Sequence, residues 1–385
     1  MRIGIFTNNY LPNPYGVTAS IESFRHELER CGHEVFVFAP RYPDYQDCGR
    51  HVFRYPALDV KVKFRFPLPI HFSPKMSRIL ESLELDIIHS QHPNLLGSAA
   101  KSWARKKQIP LVFTWHTLYD RYVHFVPFVP RRLAAWWVIR QAVKYANQSE
   151  AVIVPTVSAE KIIRGWGLKN GYMAVLATGV ENVFQGADGT VVRRRFEIAN
   201  DAPVLFTVCR LTSEKNVEYL FREVFSVLQM NEQAIFLVVG DGNLGPRLRQ
   251  LATAAGVAER VILAGEVPKE KIKDYYAAGN IFVYASKSET QGVIIAEAMY
   301  SGLPVVAVRA TGVEDYVQDG QTGFLVNGQA GDLAHATQRL LDDSPLRENF
   351  SVAAKKIATE HYTAAVATEK LLAVYADAIA RKKRD

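Results

Sequence analysis

Ten short apolar runs alternate with helix-length segments along the 385-residue chain. In the first half they lie at 3–6, 34–39, 87–89, 111–114 and 151–155. In the second half they lie at 204–209, 234–239, 261–264, 281–284 and 305–308. Strands without polar alternation are buried on both faces, as in parallel sheets covered by helices, so the class expected is α/β. A chain of this length exceeds one small core, and the pattern divides into two doubly wound domains. The expected boundaries are 1–178, 179–361 and a helical tail over 362–385. The passage 178–201, with Gly179, Gly186 and Gly189 and few apolar residues, reads as the connection.

Composition narrows the setting. Apolar residues make up 48%, and no apolar run approaches the length that crosses a bilayer. The N-terminus, Met1-Arg-Ile-Gly-Ile-Phe-Thr, reads as a strand rather than a signal peptide. Cys31, Cys48 and Cys209 have neither metal-ligand nor disulfide-framework spacing, so a reducing cytosol is expected. Charge is uneven. Residues 1–180 carry 23 Lys+Arg against 13 Asp+Glu, whereas 181–385 carry 23 against 26. A basic first half points to a polyanion or an anionic membrane. No nucleic-acid-binding motif accompanies it, so the expected partner is the membrane surface and not a nucleic acid.

Chemistry concentrates after the strands, where doubly wound sheets bind ligands. Glu289 and Glu297 are eight positions apart, a spacing that puts two helical residues on roughly one side at different heights. Gly292, at the expected helix start, lets backbone N–H groups approach a ligand. Glu297 lies among Ile294, Ile295, Ala296, Ala298 and Met299, where a carboxylate needs specific donors such as ribose hydroxyls. Upstream, the run 202–211 ends in Arg210-Leu-Thr-Ser-Glu-Lys215-Asn216. An arginine fork and a lysine point charge there can grip a diphosphate; taken singly they read as solvated surface charges.

Gly240-Asp-Gly242-Asn-Leu-Gly245 fits G-x-G-x-x-G, with Glu266 about twenty residues on, which taken literally is a dinucleotide fingerprint. It falls in the second βαβ unit of its domain, and hydride transfer leaves Arg210, Lys215 and both glutamates idle. Gly16 ends the first loop, Asn8-Asn9-Tyr10-Leu-Pro-Asn-Pro-Tyr15-Gly16, where a helix N-terminus can meet a phosphate. His116-Thr117 follows the run 111–114, and His89 and His92 at another strand end read as acceptor-side lining.

In this order, the motifs resemble the retaining glycosyltransferases of family four over nearly the whole chain. One departure is Tyr15-Gly16, where the family usually has two adjacent glycines. The resemblance implies a GT-B fold: two Rossmann-like parallel-sheet domains facing across a cleft, with the last helix crossing back to the first. It implies acceptor binding by the first domain and nucleotide-sugar binding by the second. Arg210 and Lys215 would stabilise the departing diphosphate, and Glu297 would hold the ribose. Glu289, with the amides of Thr290, Gln291 and Gly292, would orient the sugar, and His116 would reach it near the reacting carbon. Gly16 and Gly240 would line the donor, and Glu266-Val267 would meet the base through their backbone. Retention without an evident nucleophile implies same-face attack, the leaving phosphate oxygen taking the acceptor's proton. There is no Asp-x-Asp site, and two cations can replace a metal. No cofactor is expected to be required, with any Mg2+ not held at a dedicated site.

The acceptor is read from Phe125-Val-Pro-Phe-Val-Pro-Arg131-Arg132 and the helix expected after it. On that helix Ala134, Ala135, Val138, Ala142 and Tyr145 share one face; Leu133, Trp136, Trp137, Arg140 and Lys144 share the other. Tryptophans beside cations suit a bilayer interface, and a buried tryptophan pair is the alternative. Lys61-Val-Lys-Phe-Arg-Phe adds a second basic, aromatic stretch. With Ser90-Gln-His-Pro-Asn-Leu-Leu-Gly97 and Ser288-Glu-Thr-Gln-Gly292, the region resembles bacterial diacylglycerol glucosyltransferases. The implied enzyme moves glucose from UDP-glucose to diacylglycerol, on the inner face of the cell membrane, as a monomer or weak dimer. The alternatives are transfer to a phosphoinositide, a soluble sugar or a polysaccharide precursor, a GT-B sugar-nucleotide epimerase, and a nicotinamide-dependent oxidoreductase.

Overall fold

The computed structural model describes residues 1–13, 16–47, 49, 51–61, 65–118, 130–287 and 289–384. Cys48, Tyr15, Ser288, the stretch 62–64 and the proline-rich stretch 119–129 lie outside the described residues, as does the Arg131 side chain. The chain forms two compact units, 1–178 with 364–385, and 179–363.

The first unit contains strands β1 (Arg2–Phe6), β2 (Glu34–Pro40), β3 (Val52–Tyr55), β4 (Ala57–Lys61), β5 (Arg65–Pro69), β6 (Ile87–Ser90), β7 (Leu111–Thr114), β8 (Ala151–Val154) and β9 (Met173–Val175). Seven of them form a sheet in the order β3-β2-β1-β6-β7-β8-β9, while β4 and β5 pair as an antiparallel hairpin. The seven are all parallel: Ile3 pairs with Val35 on one side and Ile87 on the other. Alternate side chains enter opposite layers, as strand geometry requires. Ile3, Ile5, Val35 and Val37 pack on one face, and Phe6, Phe36 and Phe38 on the other. Among the described residues, five helices connect the strands: α1 (Gly16–Arg30), α2 (Pro74–Ser82), α3 (Leu96–Lys107), α4 (Arg131–Ala146) and α5 (Val157–Gly165).

The second unit contains β10 (Val204–Val208), β11 (Ile235–Val239), β12 (Val261–Leu263), β13 (Ile281–Tyr284), β14 (Val305–Val308) and β15 (Gly323–Val326). They form a parallel sheet in the order β12-β11-β10-β13-β14-β15. Its helices are α6 (Gly189–Arg195), α7 (Val217–Met230), α8 (Gly245–Ala254), α9 (Lys269–Ala278), α10 (Val293–Tyr300), α11 (Asp332–Asp342) and α12 (Ser344–His361). The last helix, α13 (Ala364–Lys382), belongs to the first unit. Its Leu371, Val374, Tyr375 and Ala378 join the core beside Ile3 and Ile5. Lys382 Nζ meets Glu150 Oε1 at 2.7 Å, and Arg381 lies over Tyr172. Both units are thus doubly wound α/β domains of the Rossmann kind.

Three differences from the sequence reading have physical causes. Of the passage 178–201, all but Thr178 is part of the second unit rather than a linker. Val180 pairs with Thr363, and a Cβ on Gly189 would lie 2.4 Å from the Ala277 carbonyl oxygen, so α6 packs closely on α9. Arg193 holds this segment through the carbonyls of Ala199, Ala202 and Ala278. Strands β3, β4, β5, β9 and β15, absent from the sequence reading, lie at sheet edges or in the hairpin. Finally, α10 begins only at Val293. Gly292 has φ +66°, and this left-handed residue turns the chain into the helix, so Glu289 lies in the loop and only Glu297 is helical.

Candidate active site

In each sheet the strand order reverses at one place, where the loops leaving two adjacent strands diverge and a crevice opens above their carboxyl ends. In the second unit that place lies between β10 and β13, whose register pairs Phe206 with Phe282. The loop after β10 holds Arg210 and Lys215; the loop after β13 holds Glu289, Thr290, Gln291 and Gly292. Asn216 Nδ2 donates to the Ala285 carbonyl at 3.3 Å and ties the two loops together. Lys215 Nζ then reaches Glu289 Oε1 at 2.5 Å, with side-chain exposures of only 14% and 15%. Tyr284, at the end of β13, donates to the same Oε1 at 2.6 Å. Burial pushes the Glu289 carboxyl up, but the Lys215 charge and the hydrogen bonds of Lys215, Tyr284 and Ser286 outweigh it and lower its pKa. Arg210 is more open, 54% exposed, and pairs with Glu214 on its own loop. Lys215, Glu289 and Arg210 all act electrostatically on the Cys209 thiol, whose pKa burial pushes up to about 12.

Glu297 is partly buried on α10. Its Oε2 accepts from Tyr276 at 2.7 Å. Burial raises its pKa against the Tyr276 hydrogen bond and the charge of Lys269, with Glu181 adding to the rise. The acids of the pair therefore shift oppositely: Glu289 favours ionisation, whereas Glu297 ionises reluctantly until more donors arrive.

The glycines have a reason that the sequence could not show. A Cβ on Gly240 would lie 2.0 Å from the Cys209 carbonyl oxygen, and one on Gly242 2.4 Å from that of Leu211. Leu211 N donates to the Asp241 carbonyl and Leu244 N to that of Leu211. The glycine-rich run thus admits the β10 loop against the β11 loop, and this close approach accounts for Gly240 and Gly242 without a dinucleotide. Gly240 N also donates to the Gly265 carbonyl, just before exposed Glu266 and half-buried Val267. Gly292 and Gly312 approach in the same manner: a Cβ on Gly292 would lie 2.2 Å from the Gly312 oxygen. Gly292→Ala is therefore expected to destabilise the protein by roughly 2–4 kcal/mol, combining left-handed strain with overpacking. The denaturant midpoint measures this, and a change below roughly 0.5 kcal/mol, within the range of ordinary surface substitutions, contradicts it. Gln291 Nε2 is buried without a partner among the described residues, and Thr290 is buried beside it.

In the first unit the order reverses between β1 and β6. Asn8, after β1, donates its backbone N–H to His92 Nδ1 at 3.1 Å, and its side-chain Oδ1 accepts from Leu96 N at 3.0 Å. Gly16 opens α1 with nothing within 4 Å of a hypothetical Cβ. His116, after β7, has Nε2 2.6 Å from Gln91 Oε1; that acceptor places the ring hydrogen on Nε2 and leaves Nδ1 as an acceptor. Burial, then the fields of His92 and His89, push its pKa down to about 3, so the ring is neutral. His89 does not line a surface: it is buried between Tyr375 Oη at 2.7 Å and Thr114 Oγ1 at 2.6 Å, tying α13 to the sheet. On α4, Ala134, Ala142 and Tyr145 are buried, whereas Leu133, Trp136 and Trp137 are 60%, 57% and 58% exposed. The Arg140 guanidinium lies over the Trp136 ring, and Arg132 and Lys144 are also exposed. Among the described residues no cluster of three or more His, Cys, Asp or Glu could hold a metal ion, and no helix is long and apolar enough to cross a membrane.

Residues 14–182 match the model described as Glycosyltransferase Family 4, and residues 190–357 match that of Glycosyl transferases group 1. The alpha-monoglucosyldiacylglycerol synthase of Acholeplasma laidlawii is 30% identical over 94% of this chain and 94% of its own length. The chain belongs to the family 4 glycosyltransferases. The synthase of the same name from Streptococcus pneumoniae is 29% identical over 94% of this chain and 83% of that protein. A GDP-mannose-dependent alpha-mannosyltransferase of Corynebacterium glutamicum is 26% identical over 100% and 91%. The crystal structure of Anabaena HepE in complex with UDP and glucose superposes with a TM-score of 0.76 at 20% identity, covering 98% and 99% of the two chains. The two doubly wound domains are thus those of a GT-B glycosyltransferase.

Tyr276, Tyr284 and Gly312 went unread in the sequence. Tyr284 ends an apolar strand where an aromatic reads as core, Tyr276 lies in the otherwise charged helix Lys269–Ala278, and Gly312 follows a strand end that carried no motif.

Proposed function

We propose that this glycosyltransferase moves glucose from UDP-glucose to diacylglycerol at a membrane surface, with retention at the anomeric carbon. The observation that carries the acceptor is the outer face of α4, where Leu133, Trp136 and Trp137 stand exposed among Arg132, Arg140 and Lys144. Solvent-facing tryptophans flanked by cations gain most where one side is apolar and the other anionic, as in a headgroup layer. Two relatives named as monoglucosyldiacylglycerol synthases support the same assignment, and the neighbour that binds UDP and glucose supports the donor.

In this reading Glu297 accepts the ribose hydroxyls, and Lys215 and Arg210 face the diphosphate. Glu289 and the amides following it orient the glucose, while the neutral His116 accepts a sugar hydroxyl at Nδ1. The acceptor hydroxyl oxygen bonds to the anomeric carbon on the face from which the phosphate oxygen leaves, and that oxygen takes the hydroxyl proton. Charge accumulates on the diphosphate as the C–O bond breaks, so paired cations stabilise the transition state more than the ground state.

The test is incubation with liposomes containing diacylglycerol and a panel of radiolabelled UDP- and GDP-sugars. Label in the lipid phase from UDP-glucose, with an α-linked product, is expected. Modification of water-soluble sugars alone, or interconversion of the donor without transfer, contradicts the proposal. Replacing both Trp136 and Trp137 with Ala is expected to weaken vesicle co-sedimentation about tenfold or more, because two interfacial rings leave the bilayer. Unchanged co-sedimentation refutes the role of this face.

A further inference from the structure

The two acids of the donor site are held from below by one column of aromatic rings. Tyr276, Phe282 and Tyr284 stack in sequence, each step 6.0 Å between centroids, with interplanar angles of 23° and 27°. All three are at most 1% exposed. The column is braced by Phe206 at 5.0 Å and Phe184 at 5.5 Å from Tyr276. At one end the Tyr276 hydroxyl meets Glu297 Oε2; at the other the Tyr284 hydroxyl meets Glu289 Oε1. We propose that Tyr276 and Tyr284 are positioning residues, each fixing the orientation in which one carboxylate is presented to the donor. The inference rests on the donor-site reading above.

The geometry supports a division of labour. Lys215 and Tyr284 both converge on Oε1 of Glu289, and Ser286 also hydrogen-bonds this carboxylate. On Glu297, Oε2 takes the Tyr276 hydroxyl, and Oε1 meets no donor among the described residues. Both phenols are pushed well above their ordinary pKa, chiefly by burial, so they stay protonated and can only donate towards the acids. A hydroxyl on a stiff, buried ring fixes a carboxylate rotamer at little entropic cost when the ligand binds.

The test uses Tyr276→Phe and Tyr284→Phe, which keep the rings and the column, in the wild-type, Glu297→Gln and Glu289→Gln backgrounds. Tyr276→Phe is expected to weaken UDP binding about tenfold, the loss of one hydrogen bond to a charged group, with kcat changed about twofold or less. Tyr284→Phe is expected to lower kcat about tenfold while UDP binding holds, since Glu289 addresses the sugar. Neither change should have a further effect once its own acid is the amide. Losses that multiply undiminished in those backgrounds, or a lowered melting temperature with kcat and UDP affinity intact, overturn the inference and leave the donor site standing. If Glu297→Gln alone leaves UDP binding untouched, the donor-site reading fails and this inference with it.

Discussion

Lys215→Met is expected to lower kcat about 10³-fold, the scale on which one preorganised charge at a developing anion acts. Lys215 is the more buried cation of the pair, while Arg210 is mostly exposed and bound to Glu214. Its ammonium has three donors; one is on Glu289 and the others can serve an anion. Removing it has a second consequence. Glu289 keeps its burial but loses the charge that lowers its pKa, so its carboxyl titrates higher and the acid limb of kcat/KM moves to higher pH. Arg210→Met is expected to cost less, because an exposed guanidinium already shares its charge with water and a carboxylate. An uncompensated buried carboxylate could also unsettle the fold. Lys215→Met combined with Glu289→Gln removes that charge. The double variant should regain a wild-type melting temperature, which separates an unsettled fold from lost catalysis in Lys215→Met. A kcat within tenfold of wild type for Lys215→Met, at unchanged melting temperature, refutes the assignment.

How much of this was legible beforehand follows from where the signal resides. Central strands such as β10 and β13 are buried on both faces and announced themselves as unbroken apolar runs. The acids and cations stood out because charge beside those runs needs a reason. Two kinds of information were hidden. The partners of Glu289 and Glu297 are tyrosines whose rings satisfy the core and whose hydroxyls satisfy the site, and a sequence shows only the ring. The role of a glycine depends on what lies against it: Gly240 and Gly292 are required by the carbonyls of Cys209 and Gly312, distant in sequence and adjacent only after folding. The eight-residue spacing of the acids misled for a similar reason. Gly292 spends one residue in the left-handed region, so helical arithmetic does not apply across it.

Glu297→Gln is expected to weaken UDP binding about 100-fold, or roughly 2.7 kcal/mol, through lost hydrogen bonds between ribose hydroxyls and a charged acceptor. The pH dependence is the sharper signature. Burial raises the Glu297 pKa above the ordinary carboxyl value, opposed by Tyr276 and Lys269 and helped by Glu181. A raised folded-state pKa stabilises the protein at pH values below the unfolded pKa, and this contribution is lost as pH rises through the folded one. Hydroxyl donors favour the ionised form, so binding lowers the pKa again and releases a proton. Affinity should be full above the free-state pKa and fall as pH drops through it. Uridine is the ligand to use, since it lacks a titrating phosphate of its own. Wild-type affinity for uridine should decline on acidification, whereas that of Glu297→Gln should stay flat. Removing the ribose hydroxyls should cost the wild type about the same 100-fold and the variant almost nothing, because each change deletes one side of the same hydrogen bonds. A hydroxyl penalty that persists in Glu297→Gln would show that the ribose is held elsewhere. The carboxylate would then be ionised for some other partner.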